Sequence, residues 1–349
     1  MLVCVFKNGK FELAEKPVPK ASADSAVVKV KATSICGTDF RTYIHGSKKI
    51  LEGITVGHEV CGEITEIGSG VDGFAIGERV TVAPALGCGE CYMCGKGHSN
   101  MCGNLKTLGY HFDGSFAEYM EIPAPFFARG NVNHVARSVD SDQAALAEPV
   151  ACAVNAQEFL RIEKGDYVGI FGSGFIGCSH AELAIAQGAE KVIMIEPNTN
   201  RLEIAKRTIP GIYGVTGDAD VVSSVREITD GRGVDVAIVA CSVGSAQTTA
   251  LKIAAKRGRI SLFGGLPDEG KGFVDSNLVH YNELGIFGVH ASTPRQNRHV
   301  LDWLAQGKID AAKYIAKRYR LADIMQAFDD IAKKGIMKAV IVDEGYQTP

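Results

Sequence analysis

Four side chains near the start of the chain could together manage a metal-assisted reaction: Cys36, Thr38, His58 and Glu59. A thiolate and an imidazole suit Zn²⁺, and Glu59 adds a carboxylate beside the imidazole. Thr38 follows the thiolate by two residues, and its hydroxyl can pass on a proton from an oxygen held at such an ion. Taken alone, one cysteine and one histidine far apart in sequence equally describe a small core residue and a hydrogen-bonded core imidazole. Further along, Cys88, Cys91, Cys94 and Cys102 are spaced x₂, x₂ and x₇ on a glycine-rich loop. These four sulfurs can fold back onto the corners of a tetrahedron, a closed structural zinc site with no position open to substrate. His98 lies among them, but the cysteine set is complete without it.

A third constellation suits a dinucleotide. The segment GDYVGIFGSGFIGCSHAELAIAQGAEKVIMIEP (165–197) parses as a strand (Tyr167–Phe171), a glycine turn, a helix (Phe175–Gln187) and a second strand (Lys191–Ile195) ending on an acid. The fingerprint Gly172-Ser-Gly174-Phe175-Ile176-Gly177 lies between strand and helix, where it carries meaning. Gly172 allows the tight turn, Gly174 lets pyrophosphate approach the backbone at the helix N-terminus, and Gly177 lets helix and strand pack closely. Glu196 ends the second strand, where a carboxylate accepts hydrogen bonds from ribose hydroxyls and repels a 2′-phosphate. NAD is therefore expected rather than NADP, with nearby Arg201 the residue that would favour the phosphate.

The elements that must position these groups follow from length and pattern. At 349 residues the chain is long for one core, so two domains are expected. A formal charge of −3 gives no electrostatic reason to expect nucleic acid or an anionic membrane as partner. The apolar run in MLVCVFKNGK is too short for a signal peptide, and no run is long enough for a membrane helix, which makes the cytoplasm the expected compartment. Ten cysteines then read as thiols and ligands, not as a disulfide framework. Cys4, Cys61, Cys152, Cys178 and Cys241 read as small packing residues.

Residues 1–35 and the runs after Glu59 are short, glycine-punctuated strands of a β-rich domain, with AVVKV the clearest. SVDSDQAALAEPVACAVNAQ (138–157) reads as a helix entry capped by Asp140 or Ser141. Glu148-Pro149 interrupts it, and Glu148 either faces solvent at a kink or needs a partner if buried. From 213 to 292 short strands alternate with helices (Asp220–Thr229, Gln247–Lys256), as in an open parallel sheet. The ends at Cys241, Gly264 and His290 should line its carboxyl edge, where ligands bind. The tail, helical over Arg298–Ala305 and Leu321–Lys333 and closing with strand KAVIVD, cannot extend that order and is expected to return to the first domain.

Together, Cys36-Gly-Thr38-Asp39, Gly57-His58-Glu59, the four-cysteine lobe, Glu148-Pro149 and the 172–177 fingerprint resemble the zinc-dependent medium-chain dehydrogenase/reductase superfamily, the alcohol dehydrogenase-like enzymes. The resemblance covers nearly the whole chain and is strongest to the polyol branch, which includes sorbitol and sugar-alcohol-phosphate dehydrogenases. Threonine dehydrogenases are close cousins. It implies an α/β chain: a GroES-like catalytic domain (1–151, with the zinc lobe at about 86–104), a Rossmann NAD-binding domain (152–290) and a C-terminal return (291–349). It implies zinc at both the catalytic and the lobe sites, and a homodimer or homotetramer.

Under that resemblance Cys36 and His58 bind the catalytic zinc. Glu148 is a further ligand or is bridged by water, and Glu59 alternates between ligand and neighbour. Thr38, Glu59 and Glu148 then form the catalytic set, with nicotinamide held near Cys241, Gly264 and His290. The implied reaction is reversible hydride transfer between a secondary hydroxyl of a small polyol-like substrate, phosphorylated or not, and NAD. An L-threonine or sugar-acid dehydrogenase on the same machinery is the alternative, and a non-catalytic zinc- and nucleotide-binding redox sensor is the alternative of a different class. One departure stands out. Where many sorbitol and threonine dehydrogenases carry a relay histidine, this chain has Arg41, which cannot give up its proton. The relay from Thr38 must end at cofactor ribose, water or His45, and Arg41 either holds an anionic substrate group or is solvated. Tyr43, Tyr110 and Phe112 are either pocket or core.

Overall fold

The computed structural model describes residues 1–217, 220–266, 272–343 and 345. The chain divides into two compact units, Met1–Ala151 with Ala291–Pro349, and Cys152–His290. The first begins with a hairpin of β1 (Leu2–Lys7) and β2 (Lys10–Glu15). Next come β3 (Ala26–Ser34), helix α1 (Gly37–His45), β4 (Glu59–Ile67), β5 (Arg79–Val82), β6 (Ala85–Leu86), β7 (Lys106–Thr107), β8 (Tyr119–Ile122) and β9 (Val132–His134). β-Branched Val27, Val28 and Val30 favour an extended backbone in β3, and only its Lys29 and Lys31 are less than fully buried. β3 pairs antiparallel with both β4 and β8, which centres it in the sheet.

The segment 138–157 forms two helices, Ser141–Ala145 and Ala147–Leu160. Pro149 falls in the first turn of the second helix, where a missing N–H costs nothing, so no solvent-facing kink forms.

The second unit adds six parallel strands: β10 (Tyr167–Phe171), β11 (Lys191–Glu196), β12 (Tyr213–Thr216), β13 (Val234–Val239), β14 (Ala254–Leu262) and β15 (Gly285–Gly288). Their spatial order is β12-β11-β10-β13-β14-β15, which reverses direction beside β10. That reversal opens a crevice at the carboxyl ends of β10 and β13. The expected helix Gln247–Lys256 stops earlier, at Ile253. Ala254 pairs with Val234 instead, and sheet burial overrides the helical preference of the alanines.

The tail then joins the first unit. β16 (Ile315–Tyr319) pairs parallel with β17 (Lys338–Val342), and β17 lies antiparallel on β3 through Val340–Ser34, Ile341–Thr33 and Val342–Ala32. Phe328 of the helix Ile324–Lys334 fills the core beneath, its ring stacked on Tyr43 at 4.6 Å and tilted against Phe11. No helix among the described residues is long and apolar enough to cross a membrane.

The second unit buries one imidazole with no exposed surface, His180 of the helix Phe175–Ala186. Gln157 Nε2 lies 3.2 Å from its Nδ1, and the ring meets Phe263 edge-to-face at 5.0 Å. Burial lowers its pKa from 6.5 to about 3. The unfolded chain therefore binds the proton that the folded one refuses, and stability present above about pH 6.5 is lost as pH falls toward 3. Relative to His180→Asn, the wild type should lose about 1.4 kcal/mol more stability between pH 7.5 and 5.5. Urea unfolding of both proteins at the two pH values reads this difference; equal losses would show that His180 is not the titrating group.

Candidate functional site

α1 and β4 bring the first donor set together. Cys36 is the N-cap of α1, so its sulfur sits at the positive end of the helix, which favours the thiolate. Gly57 precedes His58 with φ +94°, and a Cβ there would stand 2.7 Å from the Phe116 ring. The turn into β4 therefore needs glycine. Cys36 Sγ, a His58 ring nitrogen and a Glu59 carboxylate oxygen all lie within 4.8 Å of one another. A tetrahedral zinc with bonds of about 2.0–2.3 Å sets its donors roughly 3.5 Å apart, so small shifts bring these groups onto one ion. Glu59 Oε1 is buried without a hydrogen-bond partner, as an atom awaiting a cation would be.

Asp39 organises this set. Its Oδ2 accepts the Cys36 backbone N–H at 3.1 Å, and its Oδ1 lies 3.4 Å from His58 Nδ1. With Asp39 against Nδ1, Nε2 is the nitrogen left for a metal. Burial alone would lower the His58 pKa, but Asp39 and Cys36 together raise it well above its ordinary value. The surroundings thus favour positive charge at this spot. Burial, then Glu59, pushes the Cys36 thiol up, while His58 pulls it down. The Thr38 hydroxyl donates to Cys36 Sγ at 3.1 Å, which places it against the donors.

Glu59 has no exposed surface and does not stand alone. Its Oε2 accepts from Lys338 Nζ at 2.6 Å and from the Ser34 hydroxyl. Lys338, itself buried, also donates to the Ile35 carbonyl at 3.0 Å. Sequence reading missed Asp39, Ser34 and Lys338 as site residues. Asp39 was legible as an acid one turn into a helix that starts at a ligand; Lys338 lies too far along the chain to be placed without the fold.

The lobe cysteines also converge. Cys88, Cys91, Cys94 and Cys102 place their sulfurs within 4.8 Å of one another. Cys91 and Cys102 stand 3.8 Å apart, too far for a disulfide and close to the roughly 3.8 Å edge of a tetrahedron with 2.3 Å Zn–S bonds. The backbone N–H groups of Cys88 and Asn104 donate to Cys102 Sγ at 3.2 and 3.3 Å. The Cys94 backbone N–H holds the Cys91 pKa down at about 6, whereas burial raises Cys94 to about 11. His98 is not in the set.

In the second unit the fingerprint glycines meet three separate demands. Gly172 has φ +99° at the end of β10. Gly174, the N-cap of the helix Phe175–Ala186, has open space where a Cβ would stand, as close approach of a phosphate requires. A Cβ on Gly177 would collide with the Gly172 carbonyl oxygen. Phe175 and Ile176 open the helix between them. Glu196 Oε2 accepts from the Ser173 backbone N–H (2.9 Å) and hydroxyl (3.2 Å), and Oε1 accepts from Asn198 N–H (2.9 Å). Three of its four acceptor positions are filled, leaving one for a ribose hydroxyl. Arg201 lies in the first turn of the helix Thr199–Thr208, which Asn198 caps. Cys241 follows β13, and its carbonyl stands where a Cβ on Gly264 would be. His290 follows β15, with its carbonyl accepting from Asn155 Nδ2 at 3.3 Å.

The remaining expected residues divide. Glu148 is buried in the first turn of the helix Ala147–Leu160, correcting the solvent-facing alternative, and it lies outside the Cys36–His58–Glu59 set. Tyr43 and Phe112 pack into the core against Phe328 and Phe126. Tyr110 instead sets its ring edge-on to His58 at 6.0 Å, beside the donors. Arg41 and His45 are exposed on α1.

Comparison with known proteins places the chain in a family. The family description "alcohol dehydrogenase GroES-like domain" matches residues 22–131, and "zinc-binding dehydrogenase" matches 176–306. An L-threonine 3-dehydrogenase of Pyrococcus horikoshii is 35% identical over 93% of this chain and 92% of that one. A sorbitol dehydrogenase of Halalkalibacterium halodurans is 31% identical over 96% of each. The crystal structure of galactitol-1-phosphate dehydrogenase from Escherichia coli superposes with a TM-score of 0.87 at 25% identity, over 98% of this chain and 100% of that one.

Two outcomes follow from the donor sets. Lys338→Met strands the buried Glu59 charge and should cost roughly 3–5 kcal/mol in urea unfolding, part of it recovered in the double variant with Glu59→Gln. Cys102→Ser should lower bound zinc by about one ion per chain by atomic emission. Full zinc retention would remove the lobe as a metal site.

Proposed function

This chain belongs to the zinc-dependent, GroES-like alcohol dehydrogenases, oxidoreductases acting on CH–OH donors, and on that footing we propose that it oxidises a secondary hydroxyl of a polyol-like substrate, reversibly, with NAD. The observation that carries this is the convergence of Cys36, His58 and Glu59 with the Thr38 hydroxyl against them. Zinc at that set would supply Lewis acidity toward the substrate hydroxyl, and NAD would take the hydride. Asp39 stands against His58 Nδ1, which leaves Nε2 for the ion, and Lys338 holds one Glu59 oxygen while the other has no hydrogen-bond partner. Glu148, outside the close set, would be a further residue to hold the ion, directly or by way of water, as the family resemblance implies. Thr38 takes the hydroxyl proton and hands it outward to water, ribose or His45, because Arg41 cannot accept it.

In the nucleotide half, the N-terminus at Gly174 holds pyrophosphate, and the last acceptor position of Glu196 takes a ribose hydroxyl. That carboxylate disfavours a 2′-phosphate, which supports NAD over NADP. The L-threonine 3-dehydrogenase relative keeps an amino-acid alcohol as the rival substrate. A homodimer or homotetramer is proposed, since β15 leaves one sheet edge unpaired among the described residues. None of the ten cysteines is paired in a disulfide, which fits a reducing compartment, and the cytoplasm is the proposed location.

One plate tests the reading: sugar alcohols, their phosphates, aldonates and threonine, each with NAD and NADP, following reduced nicotinamide by absorbance. Turnover of a polyol-type substrate with NAD is expected, and exclusive turnover of threonine would overturn the polyol assignment. Thr38→Ala should lower kcat by roughly 10²–10⁴-fold with zinc content retained.

A further inference from the structure

α1 has two faces. Asp39 and Thr42 are buried, and Tyr43 stacks on Phe328, so positions 39, 42 and 43 form the inward side. Thr38, Arg41 and His45 recur at i, i+3 and i+7, the spacing of a single stripe. The stripe starts at the donor set, where the Thr38 hydroxyl bonds Cys36 Sγ, and runs outward to the exposed Arg41 and His45. Arg41 therefore stands one helical turn from Thr38, whose hydroxyl lies against the donor set. That separation is about 5–6 Å between Cβ atoms, the scale of a short carbon chain.

This stretch carries uncompensated positive charge. Arg41, Lys48 and Lys49 are exposed, and none of their side chains makes an ion pair or hydrogen bond among the described residues. The acids of the same segment are committed elsewhere. Asp39 is buried against Cys36 and His58, and Glu52 accepts the Asn8 backbone N–H at 3.0 Å. A guanidinium presents a planar fork of donors that matches a carboxylate or phosphate with two parallel hydrogen bonds. A neutral polyol offers no group that uses that fork as well.

We propose that Arg41, with Lys48 and Lys49 adding positive potential, binds an anionic group on the substrate, so that the enzyme prefers a sugar acid or a sugar-alcohol phosphate to a neutral polyol. Arg41 fixes the substrate's charged end while Thr38 and the donor set engage the reacting hydroxyl. This rests on the dehydrogenase reading above and narrows its substrate class. Carboxylate and phosphate share the chemistry that Arg41 recognises; the probes separate them.

The test uses the full-length, zinc-loaded enzyme with NAD and three probes: sorbitol, gluconate and sorbitol 6-phosphate. Wild type, Arg41→Met and Arg41→Lys are compared. In wild type, kcat/KM for one of the two anions should exceed that for sorbitol. Arg41→Met should cut the anion-to-sorbitol ratio by roughly 10- to 100-fold, through KM and not kcat, and Arg41→Lys should restore part of it. Raising the salt concentration should shrink the wild-type preference. The idea is overturned if the ratio is unmoved, or if the NAD KM moves in its place, which would give Arg41 to the nucleotide. Calorimetric binding of gluconate and sorbitol 6-phosphate to wild type and Arg41→Met runs in parallel. Binding that Arg41→Met abolishes, without turnover of any probe, keeps the anion site and counts against the polyol dehydrogenase reading; no binding and no turnover of either anion by wild type rejects the anion site itself.

Discussion

The first unit is arranged around one buried charge. Glu59 cannot sit beside a thiol and an imidazole with no exposed surface unless something offsets it, since an isolated carboxylate in a protein interior is costly by several kcal/mol. Lys338 supplies that offset from 279 residues away in sequence. Delivering a lysine there requires β17 to lie on β3 and to start, at Lys338, beside the end of β3 where Ser34 pairs with Glu59. The return of the tail is thus an electrostatic requirement of the donor set as much as a way of burying Phe328. The pair also divides the labour of one carboxylate: one oxygen is committed to Lys338 and Ser34, and the other has no hydrogen-bond partner.

The parts of α1 serve the site in different ways. Its first turn is locked, with Asp39 reaching back to the Cys36 backbone and across to His58. Its middle is anchored by the Tyr43–Phe328 stack. What remains free of both the lock and the relay is Arg41, so variation there alters what is recognised without disturbing what reacts. The nucleotide unit shows the same economy. Glu196 braces the glycine loop through Ser173 and keeps a single acceptor position for the ligand.

Much of this was legible in the sequence wherever the signal is local. The fingerprint between Phe171 and Phe175 has to lie at a strand-to-helix turn, and the lobe cysteines are close enough in sequence that their convergence needs no knowledge of the fold. β3 shows itself through its valines. What could not be read is whatever depends on distant pairing. Ala254 looks helical until Val234 recruits it into the sheet. Glu148 looks like a kink until Pro149 is recognised as the tolerated opening of a new helix. The Lys338 partner and the difference between Tyr110 and its fellow aromatics both arise from chain segments that meet only in the folded state.

The placement of β17 has a bearing on biosynthesis. Translation proceeds from the N-terminus, so β3, β4 and the whole nucleotide unit emerge from the ribosome well before Lys338 is made. Until then β3 has a bare edge and Glu59 lacks its counter-charge. The Rossmann half can mature on the nascent chain, but the half holding the donors waits for Lys338. Truncated translation products would therefore carry a folded nucleotide unit joined to an incomplete, aggregation-prone partner.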